Sequence, residues 1–478
     1  MKKLSRVSVT EQPLPFQLDP EPAPEILTAF GGLPMVVQVF RSMRLPQAVG
    51  QHVQIKERQR GYDEATFVES FVVLNAAGGE CLEDFERLRE DTGLAEMLGH
   101  AMPSPEAARK FLYEFHDESK IEASNQQMSL GDLTAIPDES RPLRGLAATN
   151  REFIAEFARR CADQKIATVD QDATIIESHK REARMTYEGE RGYQPMLAVW
   201  AETDLILADQ FRDGHVPSVK DPLVVAQAAF QALPSTVKEY YYRGDSAFHE
   251  HRLVEWLLEP ERADGPKGFI GFAISARMSP QLKQAVLRIA EPSWEPCPGN
   301  AEDEDIRQCA EVDFVQWLPT EHRQSRPVRY IALRIRKKQG ELFSDGTTVK
   351  HFAVVTNLFN WKMQKLIQWH REKAGSVERI NDVLKNELSA GVLPCGRFGA
   401  NAAWLRMAIL THNVLTVLKR IGLPAEYLSA RPKRLRFMFF HLPGRLVHHA
   451  RGVWLRLTTT IQRLADFAQF PDLFPITP

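Results

Sequence analysis

The chain has 478 residues, of which 44% are hydrophobic and 26% are charged, and its formal net charge is −2. This length predicts two to four domains, and the composition is typical of a soluble globular protein. The balanced total excludes a uniformly basic nucleic-acid-binding protein, so the distribution of charge along the chain carries the information about partners.

The five cysteines show no C-x-x-C pair, and their odd number and wide spacing argue against a disulfide scaffold or a zinc site. The sequence has no signal peptide and no apolar run of membrane-spanning length. We therefore expect a reducing, cytoplasmic location, and the function inferred below adds association with the bacterial nucleoid.

The N-terminal part of the chain predicts a tail followed by helices. Residues 1–25 are rich in proline and charge, which predicts a mobile tail. Residues 26–141 read as a helical domain with a linker. Within them, Tyr62–Ala77 has apolar residues at helical spacing and ends before a Gly-Gly pair, while the polar segment 116–141 is typical of a linker.

A helix-turn-helix outline lies inside this region. Leu94–Leu98 predicts a short helix, Gly99–Pro103 a turn, and Ser104 an N-cap that leads into a second helix. One interpretation is that this second helix reads DNA through Arg109 and Lys110. The alternative is an ordinary helix pair of an all-α domain.

From residue 142 the chain alternates helices and strands. A helix over Arg144–Cys161 precedes an antiparallel start of three strands, after which two further strands each follow a helix. This β-β-β-α-β-α-β order predicts an α/β core of RNase H-like type with a mixed sheet, whose first part is residues 142–290. The predicted elements are strands Lys165–Thr174, Tyr193–Trp200 and Leu205–Phe211, helix Pro222–Leu233, strand Glu239–Tyr242, helix Ala247–Leu258 and strand Gly268–Ser275.

The remaining chain predicts three regions. Residues 291–356 read as a β-rich insertion, residues 357–395 as the helix that completes the core, and residues 396–478 as a basic helical region. Gly396 to Arg463 holds twelve Lys or Arg residues and one acid. The predicted strands are Asp313–Leu318, Val328–Arg336 and Val349–Thr356, and the predicted helices are Trp361–Leu388, Ala400–Ile421 and Leu442–Phe470.

Two carboxylates lie near the end of the strand Lys165–Thr174. Asp170 and Asp172 are two residues apart, so the strand places both on one face. Close, buried like charges raise one another's pKa unless a cation compensates them, and Mg²⁺ prefers carboxylate oxygens. The alternative is that the acids flank a strand end in solvent or cap the next turn.

Two further acids complete a candidate set. Asp245 follows a short aromatic strand, where Gly244 permits close backbone approach and Arg243 is a candidate phosphate contact. Glu378 lies on a predicted helix, with Lys385 two turns further along the same face. A single helical Glu is usually solvated, so the signal comes from the set.

This set resembles the DDE transposases of bacterial insertion sequences. Asp172-Ala173-Thr174 looks like their first carboxylate motif, Arg243–Phe248 (RGDSAF) like their second, and Glu378 with Lys385 like the end of their third. The stretch from Tyr187 to Pro195 is similar to the Y-x-G…G-Y-x-P of the insertion-sequence thirteen-eighty branch, which is related to the piggyBac elements. The resemblance covers roughly Gly61 to Phe470.

Two departures accompany the resemblance. The family signature has Tyr seven positions and Arg four positions before the Glu, where this chain has Arg371 and Ala374. Arg371 or Lys373 would then supply the missing charge. The D-x-T match selects Asp172 as the metal ligand and catalytic residue, with Asp170 as the second choice.

The resemblance implies a Mg-dependent enzyme that binds terminal inverted repeats, cuts the element ends and joins them to target DNA. Two Mg²⁺ ions, replaceable by Mn²⁺, would be held by Asp172, Asp245 and Glu378. It also implies a homodimer on double-stranded DNA and no membrane partner. Expected DNA contacts are Arg109, Lys110, Lys180, Arg181, Arg243, Arg371, Lys373, Lys385, Arg431, Lys433, Arg434 and Arg436, and candidates for stacking on a flipped base are Trp294 and Trp317.

Two alternatives stay open at this point. One is a metal-dependent nuclease without strand transfer, and the other is a relative kept for DNA binding alone. The intact acids argue against the second, while the helix-turn-helix outline and the basic C-terminal segment argue for a large DNA partner.

Overall fold

The structure is a computed structural model in which nine strands form one mixed sheet that is packed by helices on both faces. Within its described residues, no helix combines the length and apolarity needed to cross a bilayer. It describes residues 19, 21, 23–55, 61–297, 305–314, 327–337, 341–449, 452–459, 470 and 472–476.

The helices fall into an N-terminal group, a group that flanks the sheet and a C-terminal group. Several begin with the N-cap chemistry that their sequences predict; Ser104, for example, accepts a hydrogen bond from Ala107 N. The bounds are α1 Leu33–Ser42, α2 Leu45–His52, α3 Glu64–Ala77, α4 Phe85–Arg89, α5 Thr92–Leu98, α6 Pro105–Tyr113, α7 Glu118–Ser129, α8 Arg141–Arg160, α9 Pro222–Ala232, α10 His251–Leu258, α11 Pro280–Leu287, α12 Met363–Arg371, α13 Val377–Glu387, α14 Phe398–Val417 and α15 Pro432–Leu435.

The strands form the nine-stranded sheet and two sheets of three strands. Their bounds are β1 Leu27–Thr28, β2 Ile166–Ala173, β3 Ile176–Glu177, β4 Arg184–Met185, β5 Arg191–Tyr193, β6 Met196–Trp200, β7 Leu205–Gln210, β8 Glu239–Gly244, β9 Ile270–Ser275, β10 Glu295–Pro296, β11 Ile306–Val312, β12 Arg329–Arg336, β13 Val349–Thr356, β14 Gly444–His449 and β15 Gly452–Leu457.

The large sheet has the order β10-β11-β12-β13-β9-β8-β2-β6-β7. β2 pairs in parallel with β8, and β8 in parallel with β9, while the other neighbours are antiparallel. β2 is therefore flanked on both sides and nearly all of its length is buried, as its run of apolar and β-branched residues predicts. The strands β11–β13 continue the same sheet beyond β9 rather than forming one of their own.

The core on one face of the sheet joins distant parts of the chain. It includes α1, α3 and α6 from the N-terminal region together with α13 and α14. Phe71 of α3 packs edge-on against Trp404 of α14, with 5.9 Å between ring centroids. The N-terminal helices thus share a core with the C-terminal helix, and this shared core fixes both against the sheet.

Most sequence-predicted elements are confirmed, and four are corrected. Segment 116–141 contains α7, because Asp117 caps a helix that the polar composition concealed. Helix Trp361–Leu388 is broken at Ser376, and Leu442–Phe470 begins as the hairpin β14–β15, which β1 extends. Of the predicted strand Asp313–Leu318, residues 313 and 314 are not in a strand and residues 315–318 lie outside the described residues; the observed strand, β11, ends just before it at Val312. The tail 1–25 is mostly outside them too.

Two glycines test the docking of the N-terminal helices. A Cβ on Gly32, just before α1, would lie 1.8 Å from the backbone oxygen of Phe439, whereas a Cβ on Gly50 in α2 would meet nothing within 4 Å. We expect Gly32→Ala to lower the free energy of unfolding by about 1–3 kcal/mol and Gly50→Ala to raise it by about 0.5–1 kcal/mol. Urea unfolding of both variants measures this, and equal effects would contradict the contact.

Candidate active site

The end of the central strand β2 carries Asp172 into a small group of polar side chains. Its side chain is 14% exposed. Its oxygens accept hydrogen bonds from Lys373 Nζ at 3.2 Å and from Asn381 Nδ2 at 3.1 Å. Both donors come from the segment that follows α12, so this carboxylate ties the sheet to the helical layer.

Lys373 connects Asp172 to a second acid. It lies in a 3-10 turn, Glu372–Gly375, and its ammonium is 3.5 Å from Glu378 Oε1. Glu378 lies in the first turn of α13, where the helix dipole favours a negative charge, and its side chain is 52% exposed. One buried ammonium therefore contacts acids from a strand and from a helix.

Asp245 is the third member of this group. It follows β8, next to β2, and its carboxylate accepts a hydrogen bond from Ala247 N at 2.8 Å. After burial and the direct Asp172–Lys373 pair, its negative charge contributes to raising the pKa of both Asp172 and Lys373, so it interacts with them electrostatically. The three predicted acids thus converge on Lys373 although they are up to 206 residues apart in sequence, from Asp172 to Glu378.

The ionisation of the group follows from its burial. Burial raises the pKa of Asp172; the Lys373 ammonium opposes the rise, and the charges of Asp245 and Glu378 add to it. Burial alone would lower the pKa of Lys373, but the three carboxylates together raise it. Lys373 is therefore protonated, and a further cation near Asp172 would relieve the repulsion among the acids.

Asp170 has a different environment, which corrects its assignment as a catalytic residue and metal ligand. Asp170 and Arg243 are register neighbours on β2 and β8, and their side chains are 0% and 3% exposed. Arg243 donates from Nε at 2.6 Å and from Nη2 at 2.8 Å, so both oxygens of Asp170 are engaged. Asp170 is a buried ion-pair partner, not a ligand.

The same contacts correct the prediction that Arg243 contacts DNA. Its Nη1 donates to the backbone oxygen of Trp369 at 2.5 Å, and its guanidinium lies 5.1 Å from the centroid of that ring. A side chain so enclosed does not reach a phosphate. It joins β2, β8 and α12 instead.

The donor set suits a hard divalent cation, which binds carboxylate oxygens. Asp172, Asp245 and Glu378 supply them. Burial is the main cause of the raised pKa of Asp172, and the charges of Asp245 and Glu378 add a repulsion that a cation would relieve. Within the described residues, no three acidic, His or Cys side chains stand close enough together to hold an ion as placed. Lys373 supplies the positive charge between Asp172 and Glu378 in this arrangement.

Several neighbours of the acids were identified only in part from the sequence. Lys385, as predicted, reaches the strand end, where its Nζ donates to Ile175 O at 3.3 Å. Asn381 was missed, although it is one turn from Glu378 on the same helix. Tyr187 was noted only within a motif. It is 73% exposed, and the charges of Asp245 and Asp172 contribute to its raised pKa, after partial desolvation and Glu188.

His370 is a buried neutral group behind the site. Burial lowers its pKa to about 4, and its Nε2 lies 3.1 Å from the backbone oxygen of Gly244. Because a carbonyl only accepts, Nε2 carries the proton and donates. This bond fixes the backbone directly before Asp245.

The basic C-terminal residues divide into two kinds. Arg436 is partly buried and donates to the backbone oxygens of Asn75 and Ala76 at the end of α3, which gives it a structural role; its DNA contact stays a prediction. Arg431 is half exposed and pairs with Asp382 at 2.6 Å and with Glu387. Lys433 and Arg434 are exposed.

The other predicted DNA contacts lie mainly on the surface. Arg109 pairs with Glu83 and Glu106 at 2.6 and 3.0 Å, and Lys110 with Glu106 at 3.4 Å. Lys180 and Arg181 are exposed in the loop before β4. Arg371, at the end of α12, is partly buried, and its charge lowers the pKa of Cys297.

Trp294, a candidate for stacking on a flipped base, is enclosed in this structure, and its stacking role stays a prediction. Its side chain is 7% exposed, and the Arg334 guanidinium covers the ring at 4.2 Å from the centroid. It packs as a core residue. Trp317 lies outside the described residues.

The family comparison agrees with the resemblance that the motifs indicate. A family model described as Transposase DDE domain group 1 matches residues 25–472. A cryo-EM structure of the piggyBac transposase synaptic complex with hairpin DNA is similar at a TM-score of 0.44 and 8% identity, over 86% of this chain and 80% of that chain. No curated protein gives a significant sequence match.

A double-variant test separates the structural role of Arg243 from DNA contact. Arg243→Met leaves the Asp170 carboxylate buried without its cation, and we expect a loss of about 3–5 kcal/mol in the free energy of unfolding. Adding Asp170→Asn should recover part of that loss. Arg431→Met, at a surface pair, should cost about 0–1 kcal/mol. Urea unfolding measures all three, and a stable Arg243→Met variant with weakened DNA binding would restore the DNA role.

Proposed function

The chain belongs to the Transposase DDE domain group 1 family, and on that premise we propose that it cuts and joins DNA at Asp172, Asp245 and Glu378. The observation that carries this proposal is the convergence of the three acids on one buried ammonium. They arrive from a strand, a strand end and a helix start, which local sequence does not bring together.

The strand order supports an RNase H-like core. Five adjacent strands of the sheet run β7-β6-β2-β8-β9, with β6 antiparallel to β2 and with β8 and β9 parallel to it. Asp172 lies near the end of the first strand of this unit in chain order, and Asp245 follows its fourth. Adjacent parallel strands end at the same edge of a sheet, which is where an active site would be expected.

Asp172, Asp245 and Glu378 would hold divalent metal ions, for which we propose Mg²⁺ with Mn²⁺ as a substitute. Two such ions polarise the phosphoryl group and stabilise the attacking and leaving oxygens. The chain's own residues define the surroundings. Asn381 orients Asp172 through its amide, and His370 fixes the backbone that precedes Asp245.

Cations of the chain would serve the DNA backbone. Lys373 and Lys385 lie on either side of Glu378 along the chain and are both directed at the end of β2. The Lys373 ammonium would also be a donor to a phosphate oxygen of the cut strand. Lys180 and Arg181 add exposed positive charge on the loop before β4.

The proposed partners are double-stranded element ends and target DNA. Joining two ends to one target requires two catalytic centres, and one chain supplies one set of three acids, so we propose a homodimer on DNA. The helix pair α5 and α6 remains the candidate for reading terminal repeats, because Arg109 and Lys110 are at the surface. Residues 26–141 would then be the DNA-binding part, and 142–395 the catalytic part.

Replacement of the first carboxylate tests the active site. Asp172→Asn should abolish Mg²⁺-dependent cleavage of a labelled duplex, a loss of more than about a hundredfold, since even outer-shell partners of a metal cost 10–100-fold. DNA binding should persist, because the variant removes a negative charge. Asp382→Asn on α13 is the matched control and should cleave normally. Cleavage by Asp172→Asn at the original rate would refute the site.

Lys373 gives a test that does not depend on activity. Because its ammonium contacts two of the proposed ligands, Lys373→Met should bind Mn²⁺ more tightly while being less stable without metal. The unfolding temperature rises as Mn²⁺ is added, and the Mn²⁺ concentration at the midpoint of this rise should fall severalfold in the variant. Lys362→Met, at the exposed start of α12, is the control. An unchanged Mn²⁺ midpoint in Lys373→Met would place metal binding elsewhere.

A further inference from the structure

A basic pocket lies beside the proposed active site and is not part of it. Its volume is 310 Å³, far above the roughly 10–15 Å³ that one water needs. It is lined by the start of α13, the turn between β6 and β7, and the end of α14. The charged lining residues are Asp204, Arg379, Lys419 and Arg420.

The charges of the pocket do not balance. Arg379 pairs with Asp204 at 2.7 Å, and this is the single carboxylate that lines the cavity. Two cations therefore remain without an acidic partner among the lining residues. Nearby His412 does not change the net charge of the pocket, because burial lowers its pKa to about 4 and the imidazole is neutral at pH 7.

Lys419 forms the floor of the pocket. It is 6% exposed, and within the described residues its ammonium makes one hydrogen bond, to Ala430 O at 3.3 Å. Burial lowers the pKa of Lys419 to about 8; the nearby Asp204 charge opposes this shift, and Arg379 and Arg420 add to it. A buried ammonium with spare donors is costly unless an anion accepts from it.

Arg420 holds the rim in a fixed position. Its Nε donates to Thr203 O at 2.7 Å and its Nη2 to Glu202 O at 2.7 Å, which anchors the guanidinium to the β6–β7 turn. Arg379 is fixed similarly, since its Nε donates to Gly375 O at 3.0 Å. Two rigid rim cations over a buried third are a preorganised anion site.

We propose that this pocket binds a phosphate group, held by Lys419 from below and by Arg379 and Arg420 at the rim. This assignment deepens the proposed function and rests on it for the source of the phosphate, the backbone of the DNA substrate. Gly375, which lines the pocket, lies between Lys373 and Glu378 in sequence, and Arg379 follows Glu378 on α13. A phosphate here would fix the DNA strand close to the cut.

Two probes separate phosphate binding from DNA binding. Calorimetric titration of the full chain with inorganic phosphate measures the pocket alone, and anisotropy of a labelled duplex across a salt series measures its use by DNA. Lys419→Met keeps the packing of the floor and removes a charged donor, so phosphate affinity should fall about tenfold or more. The slope of log affinity for DNA against log salt should flatten by about 0.9 per lost contact.

A variant that is expected to bind phosphate more tightly distinguishes a loss of the site from a loss of the fold. Asp204→Asn removes the one carboxylate, and Asn tolerates the left-handed conformation of this residue, whose φ is 62°. Phosphate binding should tighten about two- to fivefold, which a damaged fold would not produce. Lys283→Met on α11 is the matched charge control and should leave phosphate affinity unchanged.

Each outcome bears on the proposal. Weaker phosphate binding in Lys419→Met, with or without a flatter DNA slope, supports the site; the slope then decides between backbone phosphate and free phosphate. Unchanged phosphate affinity and unchanged slope in Lys419→Met and Asp204→Asn would overturn it. The phosphate titration is independent of cleavage, so failure of the Asp172 test would leave this result standing.

Discussion

Two carboxylates at the end of one buried strand impose the constraint on which the centre of this protein depends. Ionised acids in the interior need compensating cations, and β2 receives two: Arg243 for Asp170 and Lys373 for Asp172. These pairs decide which elements surround the strand. Arg243 brings β8 and α12 against β2, and Lys373 brings the turn before α13, which carries Glu378 to the same place.

The Asp170–Arg243 and Asp172–Lys373 pairs differ in how exposed the acid is and in whether its cation is shared with another acid. Asp170 is fully enclosed, and each of its oxygens accepts a hydrogen bond from the same guanidinium. Asp172 is slightly exposed, shares its cation with Glu378, and interacts electrostatically with Asp245. Metal ions in place of the shared Lys373 ammonium would still compensate the charge of Asp172. Breaking the bidentate, buried Asp170–Arg243 pair would instead lower the free energy of unfolding by several kcal/mol. Of the two acids in the D-x-D pattern, Asp170 is thus an enclosed ion-pair partner, and Asp172 is the one for which we propose a chemical role.

Sequence reasoning recovered the central strand and the helix N-capped by Ser104, because periodicity and capping chemistry are local signals. The roles of the three acids, which short motifs indicate, stay a prediction. Sequence reasoning failed where long-range contacts decide. The period of two placed Asp170 and Asp172 on one face, yet it could not show that Arg243 would enclose only the first. The helical spacing through Trp361–Leu388 concealed the break at Ser376, and the basic composition near Arg436 concealed a role in capping α3. The family model confirms the motif-based assignment of the chain as a whole.

The break before α13 has a further consequence for how charge is arranged around Glu378. Because the chain turns at Ser376, Lys373 is directed at the end of β2 while Arg379, six residues later, is directed at Asp204 in the turn after β6. In a continuous helix, the regular rotation per residue would fix the directions of both side chains. Because the helix is broken, one short segment directs them to two separate sites. Lys373 precedes Glu378 in sequence and Arg379 follows it, so each of the two sites receives a cation from the same short segment. Lys419 and Arg420 join Arg379 in the lining of the second site.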